Sequence, residues 1–263
     1  MTPDQIIAPL CDTAKEAGAY LLNKQREVHT LTVETKSLNS FVTEADKTAE
    51  AMIVNRLRKI IPEAGFIAEE GTEDTRGERF NWVIDPLDGT TNFIHGLPCF
   101  CVSIALMDKE EVVAGVIYEP VLNECFHAIK NGPAVLNGKE IRVSDKVKTQ
   151  DALLATGFPY YDYGKMEAYL KLLGHLMGSS RGIRRWGSAA IDLAYVACGR
   201  FDAFYEYGLQ PWDVAAGALI VQQAGGTVST FKGDDDYVFG KEILASNTGI
   251  HPEMKEAINR FFD

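Results

Sequence analysis

The chain lacks the features that would place it in a membrane or on nucleic acid. No stretch reaches the roughly 18 consecutive apolar residues of a membrane-spanning helix. The N-terminus, Met1-Thr2-Pro3-Asp4-Gln5, has no basic segment followed by an apolar one, so no export signal is read there and a cytoplasmic protein is expected. Positive charge is in short supply: 26 basic residues face 37 acidic ones, a formal charge of −11, which argues against broad affinity for nucleic acid or anionic membranes. The five cysteines, at 11, 99, 101, 125 and 198, form an odd, scattered set without CxxC spacing, so buried free thiols are expected rather than disulfides or a zinc site. The five histidines make no close pair suited to a metal, and His95 reads as a cleft wall or a surface residue. No Pro/Gly/Ser-rich linker, composition break, internal repeat or low-complexity tract divides the chain. With 263 residues, 46% of them hydrophobic, residues 1–263 are expected to fold as one domain around a large core.

What is present concentrates in Trp82-Val83-Ile84-Asp85-Pro86-Leu87-Asp88-Gly89-Thr90-Thr91-Asn92-Phe93. The apolar run reads as a buried strand over 80–85, and Pro86 and Gly89 turn the chain directly after it. Asp85 and Asp88 then emerge at the strand's carboxyl end, where open α/β sheets place their ligands. Two hard oxygen donors close together suit Mg²⁺, and the N–H groups of Gly89 and Thr90, if they open a helical turn, suit a phosphate. Taken alone, Asp-Pro and Asp-Gly are also ordinary turn pairs. Two further segments bring acid to the end of an element. Phe66-Ile67-Ala68-Glu69-Glu70-Gly71 reads as a short strand delivering Glu69, and Gln210-Pro211-Trp212-Asp213 places Asp213 in the first turn of an Ala-rich helix. An acid there also interacts favourably with the helix dipole, by roughly 0.3–1 kcal/mol. Two divalent ions need carboxylates from several parts of the chain, and these segments supply them.

Helical spacing predicts helices over 4–28 and 44–60, with a β-rich stretch between them that ends in a polar loop tip, Lys36-Ser37-Leu38-Asn39-Ser40. Strands are predicted near 66–68, 80–85, 99–107, 112–118 and 122–129, and Asn137-Gly138 as a tight hairpin turn. The second half is read as strand 152–156, helices 163–177 and 188–199, strand 202–206, helix 213–224, strand 243–246 and helix 251–262. Arg181-Gly182-Ile183-Arg184-Arg185-Trp186 reads as a basic turn beside an aromatic: solvated surface, a subunit contact, or a handle for another macromolecule. Asp234-Asp235-Asp236 reads as a solvated loop.

The chain resembles the inositol monophosphatase family of Mg²⁺-dependent, lithium-sensitive sugar phosphatases. The resemblance rests on Trp82 to His95 (WVIDPLDGTTNFIH), Trp212 to Gly226 (WDVAAGALIVQQAGG), Gly187-Ser188-Ala189-Ala190 and Phe204-Tyr205-Glu206; the usual Gly-Glu-Glu stands as Ala68-Glu69-Glu70. It implies an α+β, α/β-like layered αβαβα sandwich, the sugar phosphatase fold. It also implies an inositol-phosphate phosphatase, a phosphoric monoester hydrolase acting on inositol 1-phosphate. Related sugar phosphatases that cleave fructose 1,6-bisphosphate or histidinol phosphate remain alternatives. By resemblance, Glu69, Asp85 and the carbonyl of Leu87 hold one Mg²⁺, and Asp85, Asp88 and Asp213 hold a second. Thr90 activates water with Asp46 as its partner, although Thr43-Glu44-Ala45-Asp46 also has the form of a capping box. Gly89 and Thr90 cradle the phosphate, while Ala189, Glu206 and Asp213 meet the substrate's hydroxyls. Lys36 closes over the metals or is an ordinary exposed lysine. A homodimer is implied, with the β-rich segment from Cys99 to Cys125 and the Arg181 to Trp186 turn as candidate contacts. In some bacterial relatives a surface patch binds the transcription machinery, a role of a different class that would fall to Arg181 to Trp186.

Overall fold

The computed structural model describes residues 3–27, 33–37, 40–73, 75–158 and 163–262, with the side chains of residues 3, 4, 33–37 and 40–43 left out. The chain opens with α1 (Pro3–Gln25), the hairpin β1 (Val33–Ser37) and β2 (Ser40–Thr43), and α2 (Glu44–Ile60). The apolar spacing is the reason for the two helices. Ile6, Leu10, Ala14, Ala17 and Leu21 form one buried stripe on α1, and Ala45, Ala49, Ile53 and Leu57 form another on α2. Lys36 therefore lies within β1, not on the predicted loop tip; its side chain is outside the described residues, as is that of Thr43 in the capping-box reading.

There follow β3 (Gly65–Ala68), β4 (Phe80–Asp88), the short helix α3 (Thr90–Ile94), β5 (Cys101–Asp108), β6 (Glu111–Glu119), β7 (Glu124–Ile129), β8 (Val135–Leu136) and β9 (Lys139–Glu140). These strands form a seven-stranded sheet in sequence order, parallel between β3 and β4 and antiparallel elsewhere. The second half carries β10 (Leu153–Thr156), α4 (Met166–Ser179), β11 (Gly182–Arg184), α5 (Ala189–Ala197), β12 (Ala203–Tyr207), α6 (Pro211–Gln223), β13 (Thr227–Ser229), β14 (Glu242–Ser246) and α7 (His251–Asn259). Its sheet runs in the order β11-β10-β12-β14-β13.

Strand alternation fixes the layers. On β5, Val102, Ile104 and Leu106 face α1 and α2, while Cys101, Ala105 and Met107 face a second cluster built on α5 and α6. On β12, Phe204 joins that same second cluster, and Ala203, Tyr205 and Tyr207 turn to a third with residues of α4 and α7. The order is therefore α1/α2, seven-stranded sheet, α5/α6, five-stranded sheet, α4/α7: the expected αβαβα sandwich. The middle helices are buried all round, Val214 to Val221 of α6 without a break. Each large side chain removed from water there contributes about 1.5–3 kcal/mol.

Two expectations are corrected. The strand ending at Asp85 runs on to Asp88, with an irregular register between Asp85 and Asp88 where Pro86 cannot donate a ladder hydrogen bond. The basic turn holds an edge strand, β11, paired in parallel with β10 through residues 182–184. In the β-rich segment from Cys99 to Cys125 all three cysteines are buried, and Leu122 is the exposed large apolar side chain. All five cysteines are free thiols, four of them buried and Cys198 half-buried.

Candidate active site

The site is a cleft of about 480 Å³ where the carboxyl end of β4 faces the N-termini of α5 and α6. Asp85 projects from β4 on the same face as Val83, toward the middle helices, and is only 2% exposed. Its Oδ1 accepts the Leu87 N–H at 2.9 Å, which orients the carboxyl group in the irregular stretch of the strand. Asp88 reaches across to α5, where its Oδ2 accepts both the Ser188 hydroxyl and the Ala190 N–H at 2.7 Å. Asp213 lies in the first turn of α6 and accepts the Gln210 N–H at 2.7 Å, so its expected helix-end role is real and coexists with its place in the cleft. Glu69 follows β3, tied to β4 by its N–H to the Ile84 carbonyl at 3.2 Å.

Gly89 makes the turn after Asp88. Its φ of 96° favours glycine, and a Cβ there would come within 2.8 Å of the Cys99 carbonyl oxygen. Thr90 then opens α3, and its hydroxyl donates to the Leu87 carbonyl at 2.9 Å, with Asp46 Oδ1 further off at 3.4 Å. Asp46 is buried in the first turn of α2 behind Thr90, so the structure brings this pair together as expected. Ala189 is the first residue of α5 and lines the cleft beside Glu206 of β12. Glu206 lies flat on the backbone of Gly157, where any Cβ would overlap its carboxyl group. His95 caps the end of α3 and is not among the cleft-lining residues.

Burial raises the pKa of these acids, and for Asp85 and Asp213 the neighbouring carboxylates add to it. Burial pushes the Asp85 carboxyl well above the usual carboxylate range, and the charges of Glu69, Asp88 and Asp213 push it further. Asp213 is also driven well up, by burial and then by Asp88. Asp88 rises less, because the Ser188 hydroxyl and the α5 N–H groups stabilise its charge. Glu206 is pushed up to about 8 by burial, which outweighs the opposing pull of Arg185. Among the described residues no group of three or more His, Cys, Asp or Glu side chains is placed to hold a metal ion. The acids line an open cleft instead. Its lining offers carboxylates, hydroxyls and backbone groups but neither thiol nor imidazole, a donor set that fits a hard divalent cation and not zinc or copper. A cation would offset the mutual repulsion that Asp85 records.

Four contributors escaped the sequence reading. Glu50, fully buried on α2, accepts the N–H groups of Glu70 and Thr72 at 2.8 Å and so holds the loop carrying Glu69. Asn92 donates to the Cys99 and Trp186 carbonyls, tying α3 to the segment before α5. Arg185 turns into the cleft, its guanidinium 5.4 Å from the Phe158 ring centre, while Arg184 beside it stays exposed. Asp192 is the one charged residue of α5. Glu50 and Asp192 had a visible signal: each is an acid at an apolar position of a helical stripe.

Comparison with known proteins agrees with this geometry. The profile of the inositol monophosphatase family matches residues 2–262. The chain is 45% identical over 240 residues to the protein named Nus factor SuhB of Pseudomonas aeruginosa, covering 89% of each chain. It is 39% identical over 261 residues to the inositol-1-monophosphatase of Mesorhizobium japonicum, covering 99% of this chain and 98% of that one. The crystal structure of extragenic suppressor protein suhB from Bartonella henselae superposes with a TM-score of 0.93 at 41% identity, covering 97% of this chain and 98% of the other. With its profile spanning nearly every residue and its fold shared throughout, the chain belongs to the inositol monophosphatase family.

Proposed function

We propose that the chain is a Mg²⁺-dependent phosphomonoesterase that hydrolyses inositol 1-phosphate to inositol and phosphate. The observation that carries this is the position of Asp85, buried in the irregular last stretch of β4 and near the charges of Glu69, Asp88 and Asp213. Glu69, Asp85 and the Leu87 carbonyl would hold one ion, and Asp85, Asp88 and Asp213 a second. Bound Mg²⁺ supplies charge to neutralise phosphate oxygens and lowers the pKa of water. The chain's own residues do the rest. Thr90 Oγ1, backed by Asp46, orients the attacking water; as it accepts the water's proton, its own proton turns from the Leu87 carbonyl to Asp46 and is handed on there. The Leu87 carbonyl accepts Thr90 through one lone pair and keeps another for a cation. The N–H groups of Gly89 and Thr90 at the start of α3 hold the phosphate, while Ala189, Glu206 and Asp213 meet the polyol.

The test is phosphate release by purified protein from inositol 1-phosphate, fructose 1,6-bisphosphate and histidinol phosphate, with Mg²⁺, with excess chelator, and with added lithium. Inositol 1-phosphate should be turned over best, chelation should silence release, Mg²⁺ should restore it, and lithium should inhibit it. Release that persists in excess chelator would overturn the metal-dependent reading, and preference for another ester would move the substrate assignment to that class.

A second role is favoured by one surface. The edge strand β11 ends at the exposed Arg184, and Trp186 just beyond it is 42% exposed. Because several relatives carry the name Nus factor SuhB, this patch is our candidate for contact with the transcription machinery or with a second copy of the chain. Light scattering and a pull-down of transcription complexes, each with Arg184→Ala, distinguish the two. Arg185 is unsuitable for that test because it lines the cleft.

A further inference from the structure

Asp192 is an acid where the fold has no use for one. It lies in the first turn of α5, whose nine residues are all buried, and it is 1% exposed. It is not needed to cap the helix, because the Ser188 hydroxyl already accepts the Ile191 N–H. Its Oδ1 is buried and has no hydrogen-bond partner among the described residues, an arrangement that disfavours the folded state. The same side chain lines the cleft, together with Glu206, Arg185 and Phe158. A buried polar atom that the chain leaves unpaired beside a substrate cleft is a site for a ligand's polar atom.

We propose that Asp192 is a specificity-determining residue: with Glu206 it forms a two-carboxyl wall on the α5 and β12 side of the cleft that receives the hydroxyls of a polyol monophosphate. This deepens the phosphatase reading and rests on it. Burial, followed by the charges of Glu206 and Asp88, holds the Asp192 carboxyl well above the usual range, and Glu206 is displaced in the same direction. A carboxyl oxygen that has no partner within the chain accepts a hydrogen bond from a polyol hydroxyl. The wall's charge also selects. Among the described residues, Arg185 is the cation acting on both of these acids, which outnumber it, and its guanidinium rests against Phe158, so no positive excess is left there for a second phosphate. The wall suits a monophosphate with a neutral, hydroxyl-rich body.

The experiment compares wild type with Asp192→Ala and Asp192→Asn, measuring KM and kcat on inositol 1-phosphate and on p-nitrophenyl phosphate, together with Tm. Alanine is already the commonest residue of α5, so Asp192→Ala should leave Tm unchanged or raised. It should raise KM for inositol 1-phosphate roughly tenfold while kcat moves little, and leave p-nitrophenyl phosphate nearly unaffected. Asp192→Asn, which keeps an accepting oxygen, should restore part of the affinity. Unchanged KM for inositol 1-phosphate, an equal loss on both esters, or a lowered Tm would overturn the proposal. A wild type active on p-nitrophenyl phosphate but not on inositol 1-phosphate would remove the polyol assignment and this inference with it, whereas a wild type inactive on both would bring down the phosphatase reading itself.

Discussion

Ser188 and Asp88 stand one hundred positions apart in the chain, and the hydroxyl of the first donates to the carboxylate of the second at 2.7 Å. The contact joins the end of β4 in the seven-stranded sheet to the N-terminus of α5 in the middle layer. Asp88 also accepts the Ala190 N–H, so the carboxylate is oriented by a helix end whose partial positive charge favours it. The cleft is thus held open between two layers by one of the acids proposed to work in it.

Asp88→Asn keeps the size of the side chain and removes its charge. Phosphate release should fall by more than the roughly 10–100-fold typical of a residue that only supports a metal ligand. The circular dichroism spectrum should be unchanged. Lost activity accompanied by a lost spectrum would make Asp88 a structural aspartate.

Thr90 and Asp46 should behave as a unit, because the hydroxyl of the first reaches the carboxylate of the second. Thr90→Ala and Asp46→Asn should each lower kcat by about 10²–10⁴-fold, and the double variant by little more than either. Multiplicative losses would show that the two act separately.

Glu50 should matter to activity without touching substrate. Glu50→Ala leaves the buried N–H groups of Glu70 and Thr72 without their carboxylate, a cost of about 1–3 kcal/mol for each buried group left unsatisfied. Urea unfolding should show lower stability, and the Mg²⁺ concentration for half-maximal activity should rise as the Glu69 loop loosens. A stability loss with no change in the Mg²⁺ requirement would uncouple Glu50 from the site.

His251 gives the protein a pH dependence away from the cleft. It is buried at the start of α7 between the Ser229 and Ser246 hydroxyls, and burial lowers its pKa below the usual 6.5, with Lys255 adding to the effect. The folded protein therefore keeps it neutral while the unfolded chain takes up a proton, so its contribution is complete above about pH 6.5 and lost as pH falls toward the folded value. The cleft acids act oppositely, since raised folded pKa values favour the folded state as pH falls. Comparison with His251→Gln isolates the histidine: between pH 7.5 and 5.5 the variant should lose less stability than wild type in urea melts. Parallel curves would mean that His251 binds its proton equally in the folded and unfolded chain.

The sequence by itself determined the parts that local chemistry dictates. The apolar stripes of α1 and α2 and the two-residue alternation of β5 are written in the order of side chains, because each has to bury one face against something. Asp85, Asp88 and Gly89 form a turn that alone reads equally as an ordinary loop; they became candidates only beside Glu69 and Asp213, each at the end of an element, and the fold brings all five to one cleft. Tertiary structure decided the rest. Strands β11 and β13 have three residues each, too few to show a period, and exist because β10 and β14 offer them edges. Strand β4 continues to Asp88 because β5 pairs with it through Cys101, past the proline that reads as its end. Arg185 turned inward while Arg184 stayed out, a difference that no spacing within the chain encodes. Asp192 became more than an odd acid in a helix only when Glu206, fourteen positions later, closed over the same cleft. Periodicity reports which faces must leave water, a local demand; which polar groups then meet depends on the layers that the same burial brings together.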